Sequence, residues 1–156
     1  IVLVGLTDRQ KSNLPKKILG ITRTNSVAEL AEIYSAVDVF VNPTLEGTFP
    51  TTNIEAMACG TPVITFDTGG SSESTNENTG FIVEKGNLDN LLLRIRQVKN
   101  RGKSYYSQKD IESVIKSYRK EDRFLEYLDL YVDCLRNSSH HSKSYISYNC
   151  KRELEI

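Results

Sequence analysis

Two carboxylates stand at the ends of the run Glu46-Gly-Thr-Phe-Pro-Thr-Thr-Asn-Ile-Glu55, with eight residues between them. The chain continues as Ala-Met-Ala-Cys-Gly-Thr-Pro-Val-Ile64. Pro50 marks a turn that opens a helix, Gly60 closes it, and a buried strand follows. A loop leading from a strand into a helix presents backbone N–H groups and the positive end of the helix dipole, which suit a phosphate. A carboxylate accepts hydrogen bonds from neutral hydroxyls, which suits a sugar or a ribose. Together they predict a site for a sugar nucleotide.

Each of these residues has a plainer reading. Thr52-Asn-Ile-Glu55 is also a capping box, in which Glu55 does no more than close the helix start. Glu46 reads equally as a solvated loop acid. Thr51, Thr52 and Asn53 sit where helix-terminal amides and hydroxyls can hold a diphosphate, although either threonine can serve as a cap alone. Thr22 and Arg23 follow the second strand at its carboxyl end, where open parallel sheets bind ligands; an exposed arginine can also be simply solvated. Gly69 and Gly70 suit backbone geometry that other residues avoid, and Glu73 is expected to support a following helix. Cys59 reads as a buried helix residue and not as a nucleophile. His140 and His141 lie in a polar tail that offers no metal site.

The elements that position these residues alternate. Ile1-Val-Leu-Val-Gly5 reads as a buried strand, and Lys17-Ile-Leu-Gly-Ile21 as a second, weaker strand. Ser26-Val-Ala-Glu29 is a capping box, followed at helical spacing by Leu30, Ile33, Tyr34 and Val37. Asp38-Val-Phe-Val-Asn42 is strand-like and is stopped by Pro43. A helix over 52–59 is capped by Gly60, Thr61-Pro-Val-Ile-Thr-Phe66 is another strand, Thr68-Gly-Gly70 a turn, and Phe81-Ile-Val83 a short strand. Strands alternating with helices predict an α/β fold: a Rossmann-like parallel sheet with flanking helices and right-handed crossovers. After residue 86 a helical C-terminal section begins. Asn87 caps a helix with Leu88, Leu91, Leu92 and Ile95 on one face, ended by Gly102. Ser107 is expected to cap a second, with Ile111, Val114, Ile115 and Tyr118. A third carries Phe124, Tyr127, Leu128, Tyr131 and Leu135. Residues 1–135 therefore read as one domain and 136–156 as a polar, poorly ordered tail.

With 156 residues, the chain is long enough for one domain with a real core. Its apolar runs are too short to span a bilayer, and no signal peptide is visible. Ile1 is not an initiating Met, so a piece of a longer chain is expected. Residues 1–90 carry 6 Lys and Arg against 11 Asp and Glu, and residues 91–156 carry 14 against 9. The basic second half suits an anionic membrane surface or a partner; solvated helix faces are the reading we favour. Cys59, Cys134 and Cys150 form no CxxC pair, which fits a reducing cytosol without structural zinc. Asn137-Ser-Ser139 matches a glycosylation acceptor by chance.

The ordered blocks resemble a known family. Ile1 to Gly5, Glu29 to Pro43, Glu46 to Ile64, Thr68 to Gly70, and Thr79-Gly-Phe-Ile-Val83 are similar, in the same order, to the C-terminal donor-binding domain of family 4 (group 1) glycosyltransferases, which have the GT-B fold. Glu46 and Glu55 correspond to the family's paired glutamates, with one residue more between them than in its commonest pattern. The resemblance implies that Glu46 is catalytic and faces hydroxyls of the transferred sugar, with the amides of Gly47, Thr48 and Phe49 against that sugar. It implies that Glu55 accepts from the ribose hydroxyls and that the Thr22–Arg23 segment contacts the base. A UDP- or GDP-sugar is the implied donor, and a glycan or lipid-linked acceptor the implied partner, with synthesis of bacterial surface polysaccharide as the setting.

The resemblance also implies that no cofactor is needed and that the leaving phosphate is held by helix dipoles and cationic side chains rather than by a metal; no DxD-type motif is present. The family's phosphate-binding Arg and Lys, and its whole N-terminal acceptor domain, would lie upstream of Ile1. The fragment alone is thus expected to be inactive, in the cytoplasm and in reach of the inner membrane face, with no nucleic-acid partner. A binding-only or degenerate nucleotide-sugar module is the alternative. A nucleotide-sugar epimerase of the same fold is disfavoured by the paired glutamates, and a dinucleotide dehydrogenase by the lack of a GxGxxG after a strand.

Overall fold

A computed structural model describes the backbone of residues 1–138 and the side chains of residues 1–136. The poorly ordered tail expected over 136–156 falls mostly outside the described residues; its first three positions are helical. The chain divides into two compact units, Ile1–Ile115 and Lys116–Ile156.

In the first unit, β1 (Val2–Val4) pairs in parallel with β2 (Leu19–Ile21). The intervening α1 (Asp8–Ser12) starts with a full capping box that the sequence reading missed: Thr7 Oγ1 accepts from Gln10 N, and Gln10 Oε1 accepts from Thr7 N. Next, α2 (Val27–Ala36) starts at Ser26, whose hydroxyl accepts from Glu29 N. The Glu29 carboxylate reaches back to Asn25 N rather than to Ser26 N, one residue beyond the expected partner. β3 (Phe40–Asn42), β4 (Val63–Phe66) and β5 (Gly80–Val83) form a second parallel sheet with β4 central. All pairings are thus parallel, as the alternation predicts, but the strands fall into two sheets rather than one.

Between β3 and β4 runs α3 (Thr51–Ala58). Between β4 and β5 the expected turn is a 3-10 helix, Gly69–Ser74. Glu73 lies inside it, and no α-helix follows before β5 for it to support. α4 (Leu88–Arg101) is capped by Asn87 and ends at Gly102, whose φ of 82° is the left-handed conformation that glycine tolerates. α5 (Ser104–Tyr118) starts four residues before the helix that a cap at Ser107 would open. Ser107 is therefore no cap; it sits inside the helix and donates to Gly60 O at 2.7 Å.

Every residue of β4 is buried. Ile64, Phe66 and Val83 pack with Leu91 and Val98 of α4 and Tyr106 of α5. On a second patch, Val63 packs with Tyr34 of α2 and Ala56 and Met57 of α3. The inward face of α4 is Leu91, Ile95 and Val98; Leu88 and Leu92, expected beside them, are exposed. Similarly, Tyr106 and Asp110 are the buried residues of α5, while Ile111 and Ile115 are exposed.

The second unit contains α6 (Lys120–Ser138). Its surface carries the pairs Arg123–Glu126 at 2.7 Å and Asp133–Arg136 at 3.9 Å. None of the described helices is long and apolar enough to cross a membrane.

Candidate functional site

The loop from Pro43 to Pro50 leaves the carboxyl end of β3. Thr44 Oγ1 donates to Asn42 Oδ1 at 2.5 Å and turns the chain at the strand end. The Thr68-Gly-Gly70 segment braces the far side of the loop. Thr68 Oγ1 donates to Thr44 O at 3.0 Å. A Cβ on Gly69 would stand 2.0 Å from Gly47 O, and one on Gly70 would stand 3.2 Å from Phe49 Cα. Only a glycine at 69, which also has a φ of +49°, lets the 3-10 helix approach the loop this closely, whereas a side chain at 70 would press the loop back by a few tenths of an ångström. The sequence reading of these glycines as backbone devices thus acquires its target: Gly47 and Phe49.

Pro50 is the N-cap of α3, and no side chain caps this helix start. Pro50 fixes the entry and has no N–H to satisfy. Thr51 and Thr52 occupy the first turn and are exposed. The capping box that Thr52 and Glu55 spell out is not formed, because the helix begins one residue before Thr52 and places Glu55 in its second turn. Glu55 is exposed, and its Oε2 instead accepts a 3.2 Å hydrogen bond from the Tyr34 hydroxyl of α2.

Asn53 points inward and is fully buried. Its Oδ1 accepts from Asn42 Nδ2 at 2.9 Å, and its Nδ2 donates to Ser74 Oγ at 2.8 Å. Ser74 Oγ in turn donates to Ser71 O. Asn53 is therefore a strut joining β3, α3 and the 3-10 helix, with both ends of its carboxamide taken by Asn42 and Ser74. Buried polar groups need such partners, and the chain keeps loop and helix in register.

Glu46, Gly47, Thr48 and Phe49 are all exposed. A row of exposed loop residues, an uncapped helix start and two outward carboxylates can together meet hydroxyls and an anion. Thr22 and Arg23 follow β2, with Arg23 exposed; among the described residues no hydrogen bond ties them to the loop or to α3. No group of three or more His, Cys, Asp or Glu able to hold a metal occurs among the described residues.

Two functional supports escaped the sequence reading. Tyr34 reads there as one apolar position of α2. Burial first, and then the negative Glu55, push its hydroxyl up to about 12, so it stays a neutral donor. Lys103 Nζ donates to Ser35 O at 2.6 Å and Val37 O at 3.0 Å, closing the C-terminal end of α2 from a distant part of the chain. Burial lowers the Lys103 pKa. No local pattern announces either contact.

Residues 1–100 match the family model described as "Glycosyl transferases group 1". The capsular polysaccharide biosynthesis glycosyltransferase CapM of Staphylococcus aureus is 30% identical over 107 residues, 64% of this chain and 28% of CapM. A D-inositol 3-phosphate glycosyltransferase of Rhodococcus erythropolis is 43% identical over 56 residues, 35% of this chain and 13% of that protein. Among solved structures, TarM superposes with a TM-score of 0.61 at 23% identity, over 78% of this chain and 25% of TarM. This likeness shows the fold. The chain thus spans under a third of these relatives.

Proposed function

This chain belongs to the group 1 glycosyl transferases, and from that we propose that it is the donor-binding part of a retaining glycosyltransferase. The observation that carries the reading is the open start of α3: no side chain caps it, and Glu55 stands exposed one turn in, excluded from a capping box. Amides at the helix start and the hydroxyls of Thr51 and Thr52 receive the diphosphate of a UDP- or GDP-sugar. Glu55 accepts from the ribose hydroxyls, and the Thr22–Arg23 segment lies toward the base. Glu46, with the amides of Gly47, Thr48 and Phe49, orients the sugar whose anomeric carbon reacts. The acceptor is a glycan or a lipid-linked glycan, presented by an acceptor domain upstream. CapM's capsular polysaccharide role supports a setting in bacterial surface polysaccharide synthesis, in the cytoplasm near the inner membrane face.

Titration calorimetry with UDP and GDP, followed by turnover with nucleotide sugars in the full chain, tests this reading. Glu55→Gln should weaken both nucleotide and nucleotide sugar by about 1–3 kcal/mol, the value of a hydrogen bond to a charged group. Glu46→Gln should spare free UDP or GDP, which lacks the sugar, and lower turnover. Unchanged affinity in Glu55→Gln would overturn the assignment. Nucleotide-sugar binding without turnover in the full chain would favour a binding-only module.

A further inference from the structure

Glu55 is an exposed glutamate on a helix surface. Such a side chain samples several rotamers in water, and a ligand that needs one of them loses affinity in proportion. Here one carboxylate oxygen is already held. Tyr34 donates its hydroxyl to Glu55 Oε2 at 3.2 Å, and no described residue hydrogen-bonds Oε1. Building on the ribose role of Glu55 given above, we propose that Tyr34 is a positioning residue: it fixes Glu55 through Oε2 so that Oε1 meets the ribose hydroxyls of the nucleotide.

Tyr34 is built to hold still. It is 7% exposed. Its ring stands edge-on to Phe40 of β3, with centroids 5.4 Å apart and planes at 83°, an arrangement aromatic rings favour. Its own carbonyl accepts from Thr61 Oγ1 at 2.6 Å, at the entry to β4, and from Lys103 Nζ at 3.4 Å. The tyrosine therefore ties Glu55 to the β3–β4 framework and to α2, not to the loop beside it. With its ionisation pushed to about 12, the phenol donates and never competes as an anion. A phenylalanine here would fill the same space and pack on Phe40, so the hydroxyl is the one part of the side chain whose partner is a candidate ligand-binding group.

The test compares UDP and GDP with their 2′,3′-dideoxy counterparts in the full chain, by calorimetry. The unaltered protein should prefer the ribonucleotides. Glu55→Ala should abolish that preference. Tyr34→Phe should reduce it roughly three- to tenfold, the factor expected from freeing one glutamate side chain, while leaving dideoxynucleotide affinity unchanged; that arm also reports that the site has folded. Adding Tyr34→Phe to Glu55→Ala should change nothing further. A Tyr34→Phe protein with the full preference, beside a Glu55→Ala protein without it, would overturn the positioning role alone. Equal weakening of both nucleotide types by Tyr34→Phe would reduce Tyr34 to a structural residue. A preference that survives Glu55→Ala, or an unaltered protein that binds none of the four nucleotides at millimolar concentration, would overturn the ribose role of Glu55 and the role of Tyr34 with it.

Discussion

The two parallel sheets begin from similar sequence and end in different surroundings. Val2-Leu-Val4 and Val63-Ile-Thr-Phe66 are both short apolar runs. In β4 every position is buried, between α4 and α5 on one patch and α2 and α3 on the other. In the β1–β2 pair Leu3 and Val4 are exposed, Leu19 is 59% exposed, and Gly20 is the buried residue. Strand formation needs only a pleated apolar segment and a partner. Stabilisation by burial needs cover on both faces. The candidate site rises from the covered sheet, so its loop rests on the better buried of the two.

Glycine substitutions should divide the two sheets most sharply. A Cβ on Gly80 of β5 would lie 1.8 Å from Val63 O, inside the β4–β5 ladder. Gly80→Ala must push the strands apart and should cost on the order of 4–5 kcal/mol, seen as loss of the cooperative melt. Gly5, with φ +86° and no atom within 4 Å of a built Cβ, should cost about 1–2 kcal/mol when changed to alanine, the strain of a left-handed residue alone. Equal effects would mean that the β1–β2 pair is packed as tightly as the central sheet.

Truncation of large side chains gives the next largest contrast. Phe66→Ala should cost about 3–5 kcal/mol through lost burial and a cavity, because Phe66 is 2% exposed. Leu3→Ala, at a position 37% exposed, should cost under about 1 kcal/mol. Urea unfolding of both proteins checks the ratio.

A smaller effect probes a flaw in the covered unit. Asp110 of α5 is fully buried, and among the described residues neither carboxylate oxygen has a hydrogen-bond partner. Burial raises its pKa to about 8, against a partial offset from Lys103. The folded chain therefore holds a proton that the unfolded chain releases near pH 4. Stability from this group is fully present below about pH 4 and declines as pH rises toward about 8. Asp110→Asn should flatten that decline and raise stability at pH 8 by about 1–3 kcal/mol, measured by urea melts from pH 5 to 9. A steeper decline in the variant would show that another group carries it.

Smallest is the cap of α4. Asn87 Oδ1 accepts from Asn90 N at 3.0 Å, and Asn87→Ala should cost about 1 kcal/mol, read as a small shift in the urea midpoint. A larger loss would mean that the α4 start, and with it Leu91 and Ile95, contributes more to the covered sheet than its cap alone.

Local pattern was enough for the strands, for the Ser26 and Asn87 caps and for the glycine stops, because each rests on neighbours in sequence: a period, a cap residue, a residue free to take positive φ. The ordered motif blocks were likewise enough for the family. Pattern misjudged the start of α5, since Ser107 has a cap's chemistry but its partner, Gly60 O, is 47 residues away. It also misread which face of α4 turns inward, since Leu88 and Leu92 are as apolar as Leu91 and burial depends on what stands opposite. In the same way, a capping box at Thr52 was legible and did not form, because the helix takes its N-cap at Pro50, two residues earlier, and leaves Glu55 to Tyr34. Asn53 lay in the predicted site and proved to be a buried strut. Tertiary packing alone decided that Glu55 has a tyrosine behind it, that Lys103 closes α2, that Gly69 and Gly70 brace the loop, and that one of two similar apolar strands is covered. These depend on atoms far apart in sequence meeting at hydrogen-bond or van der Waals distance, which no local pattern specifies.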